Sequence, residues 1–355
     1  MSKESVIVGV CGSPFGVPAG AREEYLGPNT HMRSEGTWLL GVALNMARHG
    51  HPTTIIDYQW GDQNRFPLPE NITLQKGFYG KCDLFLDCGW DNLYAVQRFS
   101  NINARHYVHG WGGDPAGSTL LEWQKNTGAK NHYIARTSRC FQKMANKFPF
   151  NIYMPTPLVE KVKRNSNFHS NKMLWANRGA YNKGYDIYSD MLLGLMERHP
   201  KYDYKVLLYG DILEKSAALG RADVPARFEK LPNRWLYLPY WGIPHDEFLN
   251  ELSNSKVLLA NGCPSAHPQT LEAVCCGCVP VLWNFAEHHF QNLQGEPYNS
   301  FYNICGPEGT FEEILENFDR WEAYYTVLTE AARDHEYDRS YEIFMDGIQL
   351  KEEQQ

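Results

Sequence analysis

Short apolar runs, each closed by glycine, proline or a polar residue, alternate with stretches of helical periodicity along almost the whole chain. That alternation constrains the fold more than any other feature. A helix between two strands returns the chain to where the next strand must run parallel, and a parallel sheet needs both faces covered. Residues 5–11 form a β-branched run ended by Gly12, Ser13 and Pro14. Residues 37–48 then carry Trp38, Leu39, Val42, Leu44, Met46 and Ala47 at helical spacing, and Gly50 is placed to stop that helix. Residues 53–57, 83–87 and 106–109 read as further strands. After residues 152–157 the pattern restarts, with strands at 172–176, 204–209, 235–238, 256–260 and 279–282. Helices are expected at 185–197, 247–252 and 269–276, and the polar stretch 161–171 reads as a linker.

At 355 residues the chain suits two domains of roughly 150 residues each. The expected division is 1–157 and 158–334, with a C-terminal helix at about 335–355 packing back on the first domain. Two such doubly wound, Rossmann-like α/β domains facing a cleft would bind ligands at the carboxyl ends of their strands. No apolar run approaches the roughly 20 residues that span a bilayer. The first apolar run is too short for a secretory signal, so a cytoplasmic protein starting near Met1 is expected. Nine cysteines include one cluster, Cys275, Cys276 and Cys278. Zinc would want paired ligands at a second site, so buried free thiols are the expectation. The net charge of −7 is uneven: residues 307–355 hold 14 acidic and 4 basic side chains, leaving 30 basic against 27 acidic in residues 1–306. A polyanionic acceptor therefore stays open.

Two segments carry chemistry. In Trp175-Ala-Asn-Arg-Gly-Ala-Tyr-Asn-Lys-Gly-Tyr-Asp186, Arg178 and Lys183 stand five apart across a loop with Gly179 and Gly184, between a strand and a helix. A planar guanidinium fork and a mobile ammonium converging on one anion suit a diphosphate, whose charge grows as a nucleotide departs. Two solvated cations on a surface loop would have the same spacing. In Pro268-Gln-Thr-Leu-Glu-Ala-Val-Cys-Cys-Gly-Cys-Val-Pro-Val-Leu-Trp283, a helix beginning near Gln269 would offer free N–H groups and its positive end to a phosphate. Gln269 and Thr270 add side-chain donors, and Glu272, one turn in, stands to accept from ribose hydroxyls. A helix–turn–strand core element reads the same way.

Together these segments resemble the donor half of the family 4 glycosyltransferases of GT-B fold, with their Gly-Arg-x4-Lys-Gly loop and Leu-Glu-Ala-x-Ala-x-Gly-x-Pro-Val helix. His49-Gly-His-Pro-Thr-Thr-Ile-Ile, Tyr107-Val-His-Gly and Ala135-Arg-Thr-Ser138 resemble first-domain segments of the same family, in the same order. Asn177 replaces the loop's first glycine, and Pro264 stands where the family usually carries a first Glu, leaving His267 or Gln269 to meet the sugar. Arg33, Ser34, Glu35 and Gly36 stand where paired glycines precede the first helix, with Gly36 the candidate donor contact. Cys276-Gly-Cys-Val-Pro-Val-Leu-Trp283 resembles phage DNA α-glucosyltransferases, which also lack that first Glu.

The resemblance implies a retaining transferase with a nucleotide-sugar donor, expected to be a UDP-sugar. No Asp-x-Asp motif occurs, so no metal or other cofactor is expected to be required. Catalytic candidates are His109 and Asp114, within His-Gly-Trp-Gly-Gly-Asp. His109 would orient the sugar or simply end a strand, and Trp111 would stack on a base or pack. The acceptor expected first is a hydroxymethylated pyrimidine in phage DNA, in host cytoplasm. Arg136, Arg139, Lys143, Lys147, Lys161, Lys163 and Arg164 are its phosphate contacts, or ordinary solvated faces. A cell-surface saccharide or lipid-linked acceptor, a nucleotide-sugar epimerase and a non-catalytic nucleotide-sugar-binding module are the alternatives.

Overall fold

A computed structural model describes residues 6–9, 34–56, 68–75, 77–88, 101–110, 131–136, 151–163, 170–178, 185–209, 223, 226–227, 230, 235–238, 245–260, 268–282, 326, 329–330 and 332–353. These fall into two compact units, one built up to Glu160 and again from Asp334, the other from Lys161–Arg333.

The first unit is a seven-stranded, wholly parallel sheet of β1 (Val6–Gly9), β2 (Thr53–Ile56), β3 (Ile72–Gln75), β4 (Tyr79–Cys88), β5 (Asn101–Gly110), β6 (Asn131–Arg136) and β7 (Asn151–Tyr153), in the order β3-β2-β1-β4-β5-β6-β7. β4 and β5 begin well before the expected 83 and 106. They pair with each other from Tyr79 opposite Asn101, beyond the reach of β1 and β6, which join only at Leu84 and His106.

β3 has no counterpart in the sequence reading. It is a four-residue edge strand with one buried side chain, Ile72, so its own pattern is weak. Its position is fixed from outside: Asn71 Nδ2 donates to the carbonyls of Ala47, at 2.7 Å, and His51, at 3.3 Å.

Helix α1 (Ser34–Arg48) starts three residues earlier than expected, which places Gly36 inside its first turn. Val42, Ala43, Met46 and Ala47 enter a core shared with Ile55, Leu84, Leu86, Val108 and Tyr133. Gly50, at φ 83°, ends the helix: its N–H reaches Ala47 O at 2.8 Å and the next, of His51, reaches Met46 O at 3.1 Å. This double closure requires a left-handed residue, which costs glycine nothing.

The chain re-enters this unit through a 3₁₀ turn (Arg333–His335) and the helix Tyr337–Glu353. Phe344 and Ile348, one turn apart, complete the same core. Asn45 Nδ2 donates to Tyr337 O and Ser340 Oγ to Pro155 O, both at 2.9 Å. His335, 1% exposed, is bonded through Nδ1 to Thr156 O at 2.8 Å.

Burial holds the His335 pKa below its ordinary 6.5, against the Thr156 bond and Asp334, which raise it. The unfolded chain therefore takes up this proton more readily than the folded one. Its contribution to stability is whole above about pH 6.5 and is lost as pH falls below that value. Urea midpoints measured between pH 5 and 8 should fall on the acid side, with a smaller slope in His335→Asn.

The second unit is a five-stranded parallel sheet of β8 (Lys172–Arg178), β9 (Asp203–Tyr209), β10 (Trp235–Leu238), β11 (Val257–Ala260) and β12 (Val279–Leu282), in the order β10-β9-β8-β11-β12. It carries α2 (Tyr185–Arg198), α3 (His245–Asn254) and α4 (Pro268–Cys275). Trp175 and Leu174 on β8, Leu192 and Leu193 on α2, and Leu252 on α3 are fully buried. The helix Tyr337–Glu353 is α5.

Gly277, at φ 77°, closes α4 as Gly50 closes α1, with its N–H on Val274 O at 3.1 Å and that of Cys278 on Ala273 O at 2.9 Å. Gly277→Ala should destabilise the protein by about 1–2 kcal/mol, the cost of a left-handed residue bearing Cβ. Chemical denaturation reads this directly. Among the described residues, no helix is long and apolar enough to cross a membrane.

Candidate functional site

The second unit reverses its strand order once. From β8 the chain moves outward to β9 and β10, then returns to the other side of β8 as β11 and continues to β12. Ligands of open α/β sheets sit outside the carboxyl ends of the strands at such a reversal, here β8 and β11. Buried Met173, Leu174, Trp175 and Ala176 anchor β8, and its last residue is Arg178. α4 follows β11 and opens on Pro268, which suits a first helical position because its missing N–H has no partner to lose. Gln269, Thr270 and Leu271 come next, with backbone N–H groups that no preceding helical turn can accept from.

One bond joins the two segments. Gln269 Nε2 donates to Ala176 O at 3.1 Å across 93 residues of chain. The β8–β11 ladder ends with Leu259 opposite Trp175, whereas the β8–β9 ladder runs on to Arg178 opposite Tyr209. Gln269 thus takes a carbonyl just past the end of the shorter ladder. Sequence reasoning gave Gln269 a ligand-facing donor. The structure directs one of its two amide hydrogens to the protein, a contact between distant segments with no local signature.

Glu272 is one turn into α4 and 4% exposed. Cys276 lies a turn further on, and its N–H reaches Glu272 O at 2.9 Å. Burial pushes the Cys276 thiol pKa up; a bond from Ser253 lowers it, Glu272 raises it and Lys163 lowers it. Lys163 Nζ in turn donates to Ser253 Oγ at 3.0 Å. Cys278 is raised well above the ordinary thiol value by burial, and Cys82 to about 12 by burial and Asp83. Thiols held protonated and enclosed are poor nucleophiles and poor metal ligands. Cys275, Cys276 and Cys278 are all buried thiols outside any disulfide, and no group of metal-holding side chains occurs among the described residues.

The remaining candidates are placed less fully. His109 is the penultimate residue of β5 in the first unit, opposite Asp87 on β4 and Ile134 on β6. Gly36 is in α1 and Thr270 in α4. Lys183, Asp114, Trp111, Pro264 and His267 lie outside the described residues. Of the basic side chains, Arg136 ends β6, Lys161 and Lys163 are exposed, and Arg139, Lys143, Lys147 and Arg164 lie outside the described residues.

No protein-family model matches this chain, and no curated protein does. Among solved structures it is similar to a glycosyltransferase from Rickettsia africae ESF-5, at 13% identity and TM-score 0.49, over 100% of this chain and 98% of that one. It is similar to an alpha-glucosyltransferase in complex with UDP and a 13-mer DNA containing a central A:G mismatch, at 12% identity and TM-score 0.48, over 97% and 96% of the two chains. A UDP-forming alpha,alpha-trehalose-phosphate synthase from Burkholderia xenovorans gives 12% identity and TM-score 0.46, over 76% and 74%. All three scores are below 0.5, and the likenesses carry no part of the chemistry.

Proposed function

We propose that this chain is a retaining glycosyltransferase that moves a sugar from a nucleoside diphosphate sugar, a UDP-sugar first, to a hydroxyl acceptor. The observation that carries this reading is the meeting, at the strand reversal of the second unit, of two segments: β8 ending in Arg178, and the opening turn of α4. Chemistry there is a matter of charge. The bond from the anomeric carbon to the β-phosphate oxygen breaks, a bond to the acceptor oxygen forms on the same face, and the acceptor proton passes to an oxygen of the departing phosphate. Arg178, Lys183 and the helix N–H groups stabilise the charge that appears on that phosphate, the task a metal performs in other transferases. Glu272 accepts from the ribose, and His109, with Asp114, orients the sugar and acceptor.

For the acceptor we favour a hydroxymethylated pyrimidine in DNA, on the short Cys276–Trp283 resemblance and the exposed Lys161 and Lys163. Such a base must leave the stack before its hydroxyl can react. Mass spectrometry of hydroxymethylcytosine and hydroxymethyluracil DNA, offered with several nucleotide sugars, tests this. The mass of one donor's hexosyl or pentosyl group added to the DNA is the expected product, and NMR of the released nucleoside should show the donor's anomeric configuration kept. Donor turnover without acceptor would identify an epimerase, and binding without turnover a non-catalytic module.

A further inference from the structure

We infer that Gln269 is a positioning residue rather than a phosphate ligand: its carboxamide holds the opening turn of α4 to the end of β8 and so sets the distance between Arg178 and the helix N–H groups. Its partner is a backbone carbonyl, which accepts only, so the atom at 3.1 Å must be the amide nitrogen; the bond itself fixes which way the carboxamide faces. α4 packs on β11, β12 and α3. The Gln269 bond adds a lateral tie to β8, the strand that bears Arg178. Where a bidentate cation and a row of N–H groups must meet one diphosphate, a displacement of either by about 1 Å costs much of the binding, so the tie acts on the ligand without touching it.

The effect on nucleotide rests on the function proposed above; the tie itself does not. Full-length Gln269→Met, near-isosteric without a donor, and Gln269→Glu, which sets a carboxylate against the carbonyl, separate the two. Amide exchange without ligand should quicken in both variants over residues 174–178 and 269–274, with the rest of the second unit and the urea midpoint little changed. The UDP dissociation constant should weaken about tenfold in Gln269→Met, the equivalent of one net hydrogen bond. Unchanged exchange in both segments overturns the tie. Quickened exchange with UDP affinity intact in Gln269→Met overturns the positioning role. Quickened exchange in a protein whose wild type binds no UDP leaves the tie standing and removes the nucleotide reading, with the positioning role that depends on it.

Discussion

Arg178→Ala should slow sugar transfer by roughly 10²–10³-fold while leaving the protein folded, the loss seen when a preorganised group facing developing charge is removed. Arg178 is the last residue of β8, and the strand is secured four and three residues earlier by Leu174 and Trp175, both fully buried. Lys183→Ala should have a loss of the same order. Its ammonium lacks the planar fork, so Arg178→Lys should restore only part of the rate. Initial rates at saturating donor, beside far-ultraviolet circular dichroism, separate lost chemistry from lost structure. Unchanged rates in both alanine variants would remove these cations from the mechanism.

Phe344→Ala should destabilise the protein by about 3–5 kcal/mol, in the range for emptying a buried aromatic site. Phe344 is 1% exposed and packs with Ile348 into the core formed by α1 and the first sheet. The polar bonds from Asn45 and Ser340 to backbone carbonyls align α5 but contribute only about 1 kcal/mol each. The apolar contact therefore dominates the docking of this helix. Glu342→Ala, two residues before it, removes only an exposed pair with Arg339 and should change stability by no more than about 0.5 kcal/mol. Urea unfolding of the two variants side by side tests the ranking, and similar midpoints would contradict it.

What the sequence made legible followed from local physics. The apolar runs at β1, β2, β8, β9, β11 and β12 read as buried parallel strands because each is short, apolar and sharply ended. Gly50 read as a helix stop, and its positive φ shows why only glycine suits that position. β3 escapes notice because Asn71, just before it, ties it to the distant carbonyls of Ala47 and His51 while its own residues alternate weakly. β4 and β5 were read too short because the extra length comes from their pairing with each other, which neither sequence advertises alone. At the candidate site, α4 as a helix is visible from residue type and spacing, whereas the strand expected at 172–176 runs on as β8 to Arg178. The bond from Gln269 to Ala176 is not visible: a glutamine at a helix start looks like a ligand donor until the fold brings a carbonyl to it.

Titration of UDP into the full-length protein, with Arg178→Ala as its pair, tests the central claim most directly. The account predicts one saturable site in the wild-type chain and affinity weaker by at least about tenfold in the variant, the loss of one charge-assisted contact to phosphate. Absence of binding in the wild type, or equal affinity in the two proteins, would contradict it.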